Sequence, residues 1–170
     1  QRELHGDALD SRKVVPEAIA PALEAVIALL DAIEQEAKTP GARIVIGGFS
    51  QGATLALDVA LRTKRPLAGL VLLSGTPRDA GAGVALMADR KGLPVVQAHG
   101  TTDAVLPFSP AASLRGALGY AGLCVSFISL AVVHGVTPVL VPSMDGGTAE
   151  PGWSGKCQTG KPAGCTISRR

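Results

Sequence analysis

The stretch Arg43-Ile44-Val45-Ile46-Gly47-Gly48-Phe49-Ser50-Gln51-Gly52-Ala53 decides how this chain is read. A short β-branched run stops at a Gly-x-Ser-x-Gly pattern and passes directly into residues 53–61, which read as a mostly buried helix. Strand, sharp turn and helix in that order are the setting of a nucleophile elbow, in which a serine takes a strained backbone conformation beside the first unpaired N–H groups of the helix. Gly48 and Gly52 are expected to be glycine because side chains at both positions would collide with the turn. A chain this rich in glycine can meet the pattern by chance, and a structural glycine turn is the competing reading; the strand before it and the helix after it favour the elbow.

Composition bounds the rest. A chain of 170 residues can bury the core of one domain, and 46% hydrophobic, 3% aromatic and 18% charged residues describe an Ala/Val/Leu-rich globule. A net charge of +2, scattered basic residues and few aromatics speak against nucleic-acid readout. No apolar run approaches the length of a bilayer span, and Gln1-Arg2-Glu3-Leu4-His5 is no signal peptide, so a soluble, cytoplasmic protein is expected. The three cysteines form no metal set. Cys124, in an apolar strand pattern, is expected to be an inert core thiol. Cys157 and Cys165 bracket a Gly/Lys/Pro-rich loop that either closes as a disulfide hairpin in an oxidising setting or stays reduced.

Upstream of the elbow, Ile19, Leu23, Val26, Ile27, Leu30 and Ile33 recur at helical spacing, which predicts a long amphipathic helix over residues 16–37, ended by Thr39-Pro40-Gly41. Downstream, strands are expected over residues 67–73, 93–98 and 124–130, with helices over 84–90 and 110–121. Strands apolar on both faces and alternating with helices predict an α/β fold: a mainly parallel sheet of about four strands, covered by helices and joined by right-handed crossovers. A short helix over 137–141 closes the expected domain, residues 1–141, and residues 142–170 read as an irregular tail.

In an open parallel sheet, active sites lie outside the carboxyl ends of the strands. The first strand ends at Ser50, the third runs into His99-Gly100-Thr101-Thr102-Asp103, and the fourth leads through Ala131-Val132-Val133 to His134-Gly135. Serine, carboxylate and imidazole then emerge at one edge in the chain order expected of an α/β-hydrolase. The chemistry needs all three, because a serine hydroxyl attacks an ester only if a neutral imidazole takes its proton, and a carboxylate fixes the imidazole tautomer. Ser50, Asp103 and His134 are the candidate catalytic residues, with the Gln51 N–H as oxyanion donor. Asp103 read alone could be an ordinary turn residue, and His134 a satisfied structural histidine. His5 lies before the first helix and His99 precedes Asp103 too closely to serve as the base.

Gly48-Phe49-Ser50-Gln51-Gly52, Leu72-Leu73-Ser74-Gly75, His99-Gly100-Thr101-Thr102-Asp103-Ala104-Val105-Leu106-Pro107-Phe108 and His134-Gly135, in this order, resemble the phospholipase/carboxylesterase family of α/β-hydrolases, which includes the acyl-protein thioesterases. The resemblance covers about residues 7–141. It implies Ser50 as nucleophile, Asp103 as acid and His134 as base, Leu106 and Pro107 at the substrate, a small carboxylester or thioester substrate, and neither metal nor organic cofactor. The chain departs from the family in lacking the strands that precede the long helix, with their His-Gly-rich oxyanion loop, and in carrying Val132 and Val133 where small residues usually stand. His5-Gly6 resembles that loop but lies just before the helix. The expected function is a serine carboxylesterase on short-chain esters. The alternatives are an acyl-protein thioesterase or lysophospholipase, and a catalytically poor association scaffold with an incomplete oxyanion hole. With those strands missing, Ile44, Val45 and Ile46 should form an unprotected apolar edge, which predicts a homo-oligomer that covers it.

Overall fold

The computed structural model describes residues 19–38, 40–77 and 83–136. Helix α1 (Ile19–Glu36) is followed by a 3₁₀ turn (Gly41–Arg43), and then strands and helices alternate: β1 (Val45–Phe49), α2 (Gln51–Arg62), β2 (Gly69–Leu73), α3 (Gly83–Ala88), β3 (Pro94–Gly100), α4 (Phe108–Tyr120) and β4 (Cys124–Leu130). The four strands form one parallel sheet in the order β1-β2-β3-β4. This is the minimal α/β-hydrolase core expected from the sequence. The predicted helix over 137–141 and the tail from 142 onward, with Cys157 and Cys165, lie outside the described residues, as does His5.

Register decides which side chains make the core. Ile46, Leu70, Val95 and Val125 stand in one row across the sheet, and Gly48, Leu72, Gln97 and Phe127 in the next on the same face. Leu70, Leu72, Val95 and Gln97 on this face are almost completely buried, against Ala53, Ala56, Leu57, Val59 and Ala60 of α2 and Leu114 and Leu118 of α4. Gln97 donates from Nε2 to the Ala111 carbonyl at 2.8 Å, which ties α4 to β3, while its Oε1 has no hydrogen-bond partner among the described residues. Helix α1 packs on α2 through Leu23, Val26, Ile27 and Leu30, and Arg65, just after α2, forms ion pairs with Asp31 and Glu34 of α1.

Strands in sequential order joined by right-handed crossovers deliver every connecting helix to one face, so among the described residues α2, α3 and α4 all flank the same side of the sheet. On the other side Val71, Leu73, Val96, Ile128 and Leu130 are only partly buried and Val45 is 58% exposed. The first strand begins one residue later than Ile44 and runs on to Phe49, because pairing of Gly48 with Leu72 and of Phe49 with Leu73 carries it through two glycines with no strand preference of their own. Cys124 is buried but disulfide-bonded rather than a free thiol, and it opens β4 at the edge of the sheet.

Leu70 is 1% exposed and central to both β2 and the α2 contact, so Leu70→Ala should destabilise the fold by about 2–5 kcal/mol. Leu29→Ala, on the 58% exposed face of α1, should change stability by less than about 0.5 kcal/mol, as read from urea unfolding midpoints at constant slope.

Candidate active site

The turn between β1 and α2 places Ser50. Its backbone lies at φ 55°, ψ −121°, a conformation that costs a non-glycine residue on the order of 1–3 kcal/mol and persists where surrounding packing enforces it. Here the enforcement is visible. The Ser50 N–H donates to the Leu73 carbonyl at 2.8 Å, and the Ser50 carbonyl already accepts from the Ala53 and Thr54 N–H groups of α2. A Cβ at Gly48 would lie 2.3 Å from the Gly52 carbonyl carbon, and one at Gly75 would lie 2.5 Å from the Ala53 Cβ. The backbone of α2 can therefore approach β1 and the end of β2 only where no side chains intervene. Gly52 itself faces open space, so the expectation that a side chain would collide there fails: as the second residue of α2 it points outward, and the steric demand falls on Gly48 and Gly75. Gln51 opens α2, so its N–H is a first-turn amide with no acceptor inside the helix.

The other two strand ends deliver Asp103 and His134. His134 Nδ1 lies 2.7 Å from Asp103 Oδ2 and its Nε2 lies 2.9 Å from Ser50 Oγ. A carboxylate only accepts, so Nδ1 carries the proton and donates it to Asp103, which leaves Nε2 to accept from the serine hydroxyl. Asp103 Oδ1 accepts from the N–H groups of Val105 (2.9 Å) and Leu106 (2.8 Å), an Asx-type turn that fixes the carboxylate with its side chain fully buried. Burial works to raise the Asp103 pKa, but the Leu106 N–H, His134 and the Val105 N–H together hold it below its ordinary value. Its charge is therefore in place beside the imidazole at neutral pH.

Four residues not singled out for these roles support the arrangement. Gly100 ends β3 with no Cβ, which would otherwise lie 2.2 Å from the Val132 carbonyl oxygen; this lets the segment leading to His134 lie directly against the segment leading to Asp103. Thr101 and Thr102 then donate from their N–H groups to the Leu130 and Val132 carbonyls, joining the two loops. The Phe49 ring packs on the His134 imidazole with centroids 4.9 Å apart. His99, set aside as a base, points to the helix side of β3 and bonds the Leu106 carbonyl rather than Ser50. A glycine closing a predicted strand was the available signal for Gly100. Leu106 and Pro107 sit in the acid's own loop, Leu106 half-buried with its backbone engaged and Pro107 exposed at the N-cap of α4. Among the described residues no His/Cys/Asp/Glu group could hold a metal, and no helix is long and apolar enough to cross a membrane.

The depressed Asp103 carboxyl contributes stability that is present above the ordinary carboxylate pKa of about 3.9 and is lost as pH falls through its lower folded value. Thermal melts of the native chain and of Asp103→Asn should therefore differ most at neutral pH and converge in that acid range; a gap that stays constant down to about pH 2 would contradict this.

The comparisons with known proteins agree with this geometry. A family model described as Phospholipase/Carboxylesterase matches residues 7–146. Acyl-protein thioesterase 1 homolog 2 of Dictyostelium discoideum is 37% identical over 87 residues, 49% of this chain and 39% of the relative. Acyl-protein thioesterase 1 of Cryptococcus neoformans is 38% identical over 106 residues, 61% of this chain and 44% of the relative. The chain thus spans less than half the length of these curated relatives. Among solved structures, Arabidopsis thaliana SOBER1 superimposes with a TM-score of 0.65 at 24% identity, covering 74% of this chain and 60% of that one, and esterase PE8 with 0.66 at 23%, covering 74% and 58%. At these identities the structures speak for the fold alone. The matched segment takes in the strand–turn–helix at Ser50, the acid loop and the His134 loop, and the chain belongs to the phospholipase/carboxylesterase family.

Proposed function

We propose that this chain is a serine hydrolase acting on acyl groups carried by proteins as thioesters. The observation that carries the chemistry is the continuous line Ser50 Oγ, His134 and Asp103, with heavy-atom separations of 2.9 and 2.7 Å. Ser50 Oγ attacks the acyl carbonyl carbon while its proton passes to His134 Nε2, and the Gln51 N–H donates to the developing oxyanion. Collapse of the tetrahedral species breaks the C–S bond and the departing sulfur takes the proton. A water then attacks the acyl-serine ester, gives its proton to His134, and the carboxylic acid leaves as Ser50 recovers its hydrogen. Asp103 holds the imidazole tautomer throughout. Leu106 and Pro107 are assigned to the border of the acyl site.

Two things favour an acyl thioester over the small esters first expected. The curated relatives carry the name acyl-protein thioesterase. Exposed apolar side chains also flank the triad in sequence: Phe49 before Ser50, Val105 beyond Asp103 and Val133 before His134, the last two 59% and 67% exposed. An apolar fringe of this kind suits an acyl chain better than a small polar group. The family description keeps carboxylester hydrolysis as the second reading, with the same residues in the same roles.

Ser50→Ala should abolish turnover of an S-acyl peptide with no loss of folding, since the hydroxyl contributes little packing. Asp103→Asn should lower kcat by about three to four orders of magnitude by favouring the wrong tautomer. His134→Ala should also abolish turnover, because only its neutral imidazole accepts the Ser50 proton. A matched O-acyl peptide cleaved with higher kcat/KM than its S-acyl counterpart would favour the carboxylesterase; a chain that neither turns over nor is labelled by a fluorophosphonate would favour the association scaffold.

We also assign self-association to the β1 edge. Within the described sheet β1 is paired on one side only, no charge or proline interrupts it, and Val45 is exposed. Light scattering of the native chain should give a homo-oligomer, with Val45→Lys shifting it toward monomer; a native monomer at low micromolar concentration contradicts the assignment.

A further inference from the structure

We propose that His99 is a positioning residue for the acid: it clamps the Leu106 backbone, which in turn holds the Asp103 carboxylate against His134. This rests on the triad reading above. His99 is 1% exposed, on the helix-facing side of β3, and a buried imidazole needs a hydrogen-bond partner. Its Nε2 lies 2.8 Å from the Leu106 carbonyl oxygen. That oxygen only accepts, so Nε2 carries the proton and donates. The other nitrogen, Nδ1, is buried without a hydrogen-bond partner among the described residues. With one nitrogen committed to a backbone carbonyl and the other dry, this ring is built to hold a position rather than to pass protons on.

What it holds is specific. Leu106 presents its N–H to Asp103 Oδ1 at 2.8 Å and its carbonyl to His99, so one residue's backbone spans the distance between the imidazole and the acid. Pro107 follows directly, and a residue before proline has a restricted backbone, so the Leu106 carbonyl cannot turn easily toward another donor. The same Nε2 lies 3.5 Å from Asp103 Oδ2, the oxygen that receives the His134 proton. The ring therefore also walls the carboxylate on that side. Phe108 packs edge-on against it at 6.1 Å, fixing the orientation of the imidazole.

Two variants separate clamping from packing. His99→Gln keeps a donor where Nε2 stands; His99→Leu keeps bulk and loses the donor. Rates are measured per active site titrated with a fluorophosphonate, with full pH profiles, and the hydrogen-bonded His134 Nδ1 proton is followed by its downfield NMR resonance. We expect the leucine variant to lose about 10- to 100-fold in kcat per site, with KM within about twofold. Its acid limb should move to lower pH, because the imidazolium loses part of its partner, and the downfield resonance should broaden or disappear. The glutamine variant should recover most of each. Should the leucine variant not fold, His99→Asn, whose amide falls where Nδ1 is and cannot reach Leu106, takes its place with the same expectation.

Wild-type kcat per site together with an unmoved acid limb in the donor-less variant would overturn the clamp, whatever its melting temperature. So would a glutamine variant no better than the donor-less one. If the native chain is not labelled at all, the hydrolase reading fails by itself. The resonance then decides the clamp: lost without the donor and kept with glutamine supports it, and kept in both overturns it.

Discussion

The close approach of β1 and α2 at Gly48, where a side-chain carbon would stand 2.3 Å from the Gly52 backbone, is the contact on which the arrangement of this molecule depends. It forces the chain to turn within a single residue, and Ser50 takes up the turn at a positive φ. The strain is offset by hydrogen bonds on both sides of the turn: the Ser50 N–H reaches across to Leu73 while its carbonyl starts α2. Gly75 repeats the device one strand over by leaving room for Ala53, so the first turn of α2 sits over the ends of β1 and β2 together. With the backbone fixed this way, the Ser50 hydroxyl meets His134 Nε2 at 2.9 Å.

The same economy of small residues operates on the other side of the site. Parallel strands in sequential order all end at one edge, and the loops leaving β3 and β4 would normally diverge over it. Gly100 prevents this by admitting the Val132 and Val133 carbonyls, after which two backbone hydrogen bonds join the loops. Asp103 and His134 are thereby brought together from positions 31 residues apart, and His134 and Ser50 from positions 84 apart. Preorganisation of this kind is what serine chemistry requires, since a displacement of about 1 Å in the base would cost about two orders of magnitude in rate.

Much of this was legible in the sequence, and for identifiable reasons. The Gly-x-Ser-x-Gly between a β-branched run and a helical one, and an acid and a histidine each following an apolar strand, are local patterns with a common destination once strands are known to be parallel. What escaped was set by tertiary contact. Phe49 joined β1 because β2 offered it a partner, not because Gly47-Gly48-Phe49 prefers a strand. Helix α4 starts at Phe108 rather than Pro110 because a proline lacking its N–H loses nothing in a helix's first turn. The motif makes Gly52 look as sterically required as Gly48; only the direction of its missing side chain tells them apart. His99 looked spare because the atom it serves is a main-chain carbonyl, which no sequence pattern displays.

The central claim is that the Ser50 hydroxyl, activated through His134, carries the acyl group between substrate and water. Rapid quenching of the native chain with an S-acyl peptide, followed by digestion and mass spectrometry, tests it most directly. The account predicts an acyl mass on the peptide containing Ser50 that appears before steady state and is absent when His134 is replaced by alanine. An acyl mass on any other residue, or hydrolysis of the peptide with no covalent adduct at any time, would contradict it.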